Sequence, residues 1–123
     1  MKVNWKNENR KYENNVVYQI TMGEYAYIGQ TSRPLIMRVR EHLYSETSEV
    51  HNFIENNDIE EINVKILYHL PSNKKLDKKE TKAIAQYIRY NSKKKGFKNL
   101  INKDFKGIDK KSIEELKDLI KKS

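Results

Sequence analysis

The chain has 123 residues, 25 Lys+Arg against 17 Asp+Glu, a net charge of +8 and only 37% hydrophobic residues; that length fits one domain, because halving it would leave each part too small a core. It contains no cysteine, which excludes disulfides, thiol nucleophiles and cysteine-held zinc, and leaves any metal to carboxylate and water oxygens. No apolar run approaches a membrane span or a signal-peptide core, so no membrane partner is expected and the expected location is cytoplasmic.

Residues 1–14 are polar apart from Trp5 and Tyr12 and read as an arm, with Trp5 as a packing anchor or a base-stacking contact. Residues 15–21 alternate and predict a strand, residues 25–29 a second, and Gly23-Glu24 between them fits a two-residue type II′ hairpin turn. That turn pairs Met22 with Tyr25, Ile20 with Tyr27 and Tyr18 with Gly29. Tyr18 and Tyr27 then become diagonal neighbours on one face, and a slip of one residue would separate them.

Ser32 is the expected cap of a helix with Pro34 in its first turn, running to about Tyr44. Leu35, Val39 and Leu43 form its buried stripe, helped by Ile36, and Arg38 and His42 lie on an adjoining stripe at i, i+4. Residues 47–57 read as a loop or short helix. Residues 62–70 alternate as a third strand stopped by Pro71, and residues 78–90 are helical. Residues 92–102 form a basic turn around Gly96, and Ser112 with Glu115 makes a capping box for a last helix carrying Ile113, Leu116, Leu119 and Ile120. The expectation is an α/β (α+β) domain over 15–102, a small three-stranded antiparallel sheet flanked by helices, with 103–123 packed on it as an amphipathic helix.

Charge is unevenly spread along these elements. Residues 71–123 hold 17 Lys+Arg and 7 Asp+Glu, or +10, whereas residues 1–70 hold 8 and 10, or −2. A basic half joined to a near-neutral half suits a polyanion lying against one side, and a solvated lysine surface is the alternative.

Glu80 stands at i−4 from Ile84 and i−8 from Ile88, on the stripe that should pack against the sheet. A carboxylate aimed at a core is costly unless it is paired, hydrogen-bonded or metal-bound, although a place in the first helical turn would also favour it. Arg38 beside the core stripe calls for an anionic partner. Two tyrosines on a hairpin facing an arginine and a histidine on the next helix suit phosphate handling, while half-buried tyrosines and a helix-covering histidine are the structural alternative.

The pattern VVY…AYIGQTS…R…H…E resembles the GIY-YIG endonuclease family over roughly residues 15–102. By that resemblance Tyr18 and Tyr27 match the tyrosines of the two motifs, Arg38 and His42 the helical arginine and histidine, and His51 a second histidine of some homing enzymes. Glu80 matches the metal-binding glutamate and Asn99 the late asparagine. Two features depart from the family: Val16 and Val17 replace the glycine and isoleucine of the first motif, and about one extra helical turn separates Glu80 from the GFKN segment.

The resemblance implies a divalent-metal-dependent endonuclease acting on DNA, from a bacterium, phage or mobile element. One Mg²⁺ or Mn²⁺ would sit on Glu80, Tyr18 would act as general base, and Arg38 would hold the scissile phosphate. Tyr27 and His42 would position the phosphate or relay the proton, and His51, Lys93, Lys94, Lys95, Lys98 and Asn99 would contact the substrate. A catalytically silent nucleic-acid-binding module is the rival reading, and a small inhibitor or adaptor a third. A homodimer is among the oligomeric states left open.

Overall fold

The structure, a computed structural model, describes residues 1–91 and 100–102. Its elements in chain order are β1 (Lys2–Trp5), β2 (Val16–Met22), β3 (Tyr25–Thr31), α1 (Leu35–Tyr44), α2 (Glu49–Asn56), β4 (Glu61–His69) and α3 (Leu76–Asn91). The last helix expected near 112–120 lies outside the described residues.

The strands form one mixed sheet in the order β1-β4-β2-β3, four strands rather than the expected three. The added strand comes from within the segment read as a polar arm. It pairs in parallel with β4, Val3 opposite Ile62 and Trp5 opposite Val64. Val3 and Trp5 pack against the core on alternate positions, a period-two pattern too short to stand out from the polar residues around it.

The hairpin has the expected register: Met22 opposite Tyr25, Ile20 opposite Tyr27 and Tyr18 opposite Gly29. Gly23 has φ of +62°, which L side chains adopt only with strain, so glycine serves the turn. β2 is one of the two inner strands; Val16, Val17, Tyr18, Ile20 and Met22 are buried, and Gln19 and Thr21 are half-buried. Val16, Tyr18, Ile20 and Met22 face a core closed by Leu35 and Val39 of α1 and Val50 and Ile54 of α2. Val17 faces the opposite core with Ile28, Leu76, Ala83, Ile84 and Ile88, so α3 covers the second face. The result is a sheet between two helical layers.

Two details place the site. Opposite β2, the β4 register shifts between Val17, paired with Tyr68, and Tyr18, paired with Ile66. Leu67 is therefore a bulge residue beside Tyr18, a local break in the ladder of the kind that re-aims side chains. The start of α1 is the other detail. Ser32 does not cap it; the helix begins after Pro34 with no side-chain cap. Its first free donors are satisfied instead by the N-terminal segment, Leu35 N–H donating to the Glu13 carbonyl at 3.0 Å and Ile36 N–H to the Lys11 carbonyl at 2.8 Å. Among the described residues no helix is long and apolar enough to cross a membrane.

Candidate active site

β2 carries Tyr18 to the centre of the sheet, where it is completely buried. β3 sets Tyr27 beside it, ring centroids 6.4 Å apart, and α1 lays His42 over both, at 5.9 Å from the Tyr18 ring and 5.0 Å edge-on from the Tyr27 ring. The rings share one face because the hairpin register requires it. Gly29 makes room: a Cβ there would lie 2.5 Å from the Tyr18 hydroxyl oxygen, 2.7 Å from its Cζ and 2.8 Å from Tyr27 Cε1. The glycine of the YIG stretch is thus required by sterics, not by an unusual φ.

Around Gly29 opens a cavity of about 310 Å³ lined by Tyr27, Gln30, Arg38, His42, Ser48 and Glu80, with Gly29, Thr47 and Glu49 completing the wall. Of the five residues expected to carry catalysis, four line this cavity. Tyr18 lies directly behind Gly29 and joins the site through His42, its hydroxyl 2.6 Å from His42 Nε2. The next ring nitrogen, His42 Nδ1, is 2.7 Å from Ser48 Oγ.

Electrostatics follow from burial. The Tyr18 phenol is pushed well above its usual range, chiefly by desolvation and then by neighbouring Tyr27, while Arg38 opposes the shift. Tyr27 is pushed up to about 12, again mainly by burial. His42 falls to about 3 through burial and the positive charge of Arg38, so its imidazole is neutral at pH 7. Glu80 is raised to about 7 by burial, with Asp77 adding to the shift and a Gln30 hydrogen bond opposing it. Its burial agrees with its place on the stripe of Ile84 and Ile88, both fully buried.

Arg38 has the anionic partner that its position called for. Its Nη1 donates to Glu41 Oε2 at 2.8 Å, and Arg33 binds the other oxygen of the same carboxylate. The positive charge of Arg38 also opposes the upward shift of the Tyr18 and Tyr27 phenols. A single arginine on the cavity wall therefore acts on the buried phenols and pairs with a partly exposed carboxylate beyond that wall.

His51 lies elsewhere. It sits on α2 with Nδ1 2.8 Å from the Leu43 carbonyl, tying α2 to the end of α1, and is not on the cavity wall. Lys93, Lys94, Lys95, Lys98 and Asn99 lie outside the described residues. Just beyond them, Asn102 pairs with edge strand β3, its Oδ1 accepting from Ile28 N–H at 3.0 Å and its Nδ2 donating to the Ile28 carbonyl at 2.6 Å.

Sequence reading missed Gln30, Glu41 and Ser48. Ser48 had a signal: it precedes the α2 run Glu49–Asn56 and its Oγ accepts from His51 N–H, as an N-cap residue does. Gln30 and Glu41 had none beyond adjacency to YIG and to His42. In comparisons with known proteins, no family model, no curated protein and no solved structure matches this chain.

Proposed function

We propose that this protein is a divalent-metal-dependent endonuclease that hydrolyses phosphodiester bonds in DNA, a small cytoplasmic enzyme of the GIY-YIG kind that its sequence resembles. The observation that carries the reading is convergence. Tyr18 of β2, Tyr27 of β3, Arg38 and His42 of α1 and Glu80 of α3 meet at one polar cavity, although 62 positions of sequence separate the first from the last. Core packing alone does not ask for a buried carboxylate, a buried histidine and an arginine at the same place.

Phosphodiester hydrolysis needs an attacking water, a base for its proton, and charge stabilisation at the phosphate. Arg38 supplies a planar fork for a non-bridging oxygen, in competition with Glu41. Tyr18 is too weak an acid for the tyrosinate to be its resting form. It serves as a conduit, handing its proton to His42 Nε2 as it takes one from the water. His42 is held neutral by burial and by Arg38, so an anionic phosphate on Arg38 raises its proton affinity when substrate is present.

Glu80 fits the role of metal ligand. It is a buried carboxylate on the wall of a polar cavity, raised to about 7 mainly by burial, and a cation beside it would favour its charged form. A single carboxylate with waters and substrate oxygens is a ligand set that Mg²⁺ or Mn²⁺ accepts. Such an ion, when bound, would act as a Lewis acid on the phosphate and the leaving oxygen. The +10 of residues 71–123 would hold flanking phosphates without reading sequence.

One observation favours a silent binding module: Tyr18 has no exposed surface, so a water must come in past Gly29 or Tyr27 to reach it. The test is incubation with supercoiled plasmid, linear duplex, branched and single-stranded DNA, with Mg²⁺ or Mn²⁺ and with chelator. Nicking or linearisation that chelator abolishes is the expected result. DNA binding without cleavage of any substrate would decide for the silent module.

A further inference from the structure

The hydrogen bonds around His42 can be assigned by counting donors and acceptors, and the count reaches a residue with no role so far. Among the described residues the Tyr18 hydroxyl has one hydrogen-bond partner, His42 Nε2. If His42 Nε2 donated to it, the Tyr18 O–H would be buried with nothing to receive it, which the fold disfavours. Tyr18 therefore donates to Nε2, and the ring proton of neutral His42 sits on Nδ1.

That proton faces Ser48 Oγ at 2.7 Å. Ser48 Oγ also accepts the His51 N–H at 3.4 Å. Both of its lone pairs are then in use, and its own O–H is left to donate into the cavity that Ser48 lines. We infer that Ser48 is a positioning residue for His42 and the solvent-side outlet of a three-membered proton chain, Tyr18 to His42 to Ser48. The chain balances. One proton moves from the attacking water to Tyr18, the Tyr18 proton to Nε2, the Nδ1 proton to Ser48, and the Ser48 proton to a cavity water. Tyr18, His42 and Ser48 end with the same number of protons as they began.

The catalytic part of this inference rests on the nuclease reading; the hydrogen-bond assignment does not. The first test therefore needs no substrate. Imidazole ¹⁵N and ring-proton spectra of the metal-free protein should show His42 protonated on Nδ1, the less favoured form of free histidine, with a ring proton slow to exchange with water. Ser48→Ala should broaden that ring proton through faster exchange. Ser48→Gly should do the same while leaving α2 a tolerated N-cap, and Ser48→Thr should restore the sharp signal. In cleavage assays the Ala and Gly variants should lose about 10- to 100-fold in kcat with KM little changed, part of the 10²–10⁴ that general acid–base catalysis supplies, and Thr should recover it. A proton on Nε2 in the wild type, or an unaltered Nδ1 signal in both Ser48→Ala and Ser48→Gly, would overturn the assignment. An Nδ1 proton guarded by Ser48 in a protein that cuts no DNA would uphold the assignment and remove the nuclease reading instead.

Discussion

At the scale of single residues, Gly29 and Glu80 are where the fold gives up stability to build a site. An alanine at 29 would drive its Cβ into Tyr18 and Tyr27, and a ring fixed in the core on an inner strand has little freedom to retreat. Gly29→Ala should therefore cost about 1–3 kcal/mol, as overpacking does, read from urea denaturation. A cost below a few tenths would mean that Tyr18 is not seated over Gly29. Glu80 has a carboxyl raised from 4.5 to about 7, mainly by burial, so the folded protein holds its proton more tightly than the unfolded chain does. Its contribution to stability is full below about pH 4.5 and is lost as pH rises through about 7. The loss is on the order of 3 kcal/mol in metal-free buffer. Glu80→Gln removes this dependence, so at pH 8 the variant should melt above the wild type and at pH 4.5 it should not. Parallel melting curves for the two proteins across that range would show that Glu80 is not buried as a charge. Glu80, Tyr18 and Tyr27 were legible in sequence: Glu80 because a carboxylate interrupts an apolar stripe, the two tyrosines because a Gly-containing turn sets the register. Ser48 and Glu41 were less so, since a serine or glutamate on a polar stretch carries no pattern until its partner is known.

At the scale of elements, the local patterns were the readable ones. β2, β3, α1, β4 and α3 have the types their periodicity predicts, because alternation and i, i+4 stripes record one element's own burial, while α2 resolves as a helix a stretch that read as a loop or short helix. β1 escaped for the opposite reason. It is four residues long, and it pairs in parallel with a strand 59 positions later, a contact that no local pattern records. The cap of α1 was misread in the same way, because backbone carbonyls of Lys11 and Glu13 do the work assigned to Ser32, and a carbonyl has no sequence signature. The edge of β3 offers a test. Ile101 N–H donates to the Ala26 carbonyl at 2.9 Å, and the Asn102 amide then completes the cover by pairing with both backbone groups of Ile28. Asn102→Ala should cost about 1–2 kcal/mol, with Asn102→Asp in between, since it keeps the acceptor and loses the donor. Unchanged stability in both variants would show that residues 100–102 do not close this edge.

At the scale of the whole molecule, a four-stranded sheet between two helical layers brings side chains from β2, β3, α1 and α3 to one cavity beside an edge strand. On the nuclease reading proposed above, the positive charge carried by the second half of the chain would draw a DNA backbone to this cavity, and the neutral imidazole and raised carboxyl would act on a phosphate in the presence of a divalent cation. The most direct measurement of that claim compares wild type, Glu80→Gln and Tyr18→Phe on supercoiled plasmid with Mg²⁺ or Mn²⁺, alongside DNA binding without metal. Glu80→Gln keeps shape and most hydrogen bonding, and Tyr18→Phe removes one hydroxyl from a ring that otherwise packs alike. Both should bind DNA as the wild type does. Both should cut at rates lower by at least about 10²-fold, the scale of a lost general acid–base or Lewis-acid contribution. Wild-type rates in Glu80→Gln, with the same dependence on the cation, would contradict the account by showing that the metal is held elsewhere.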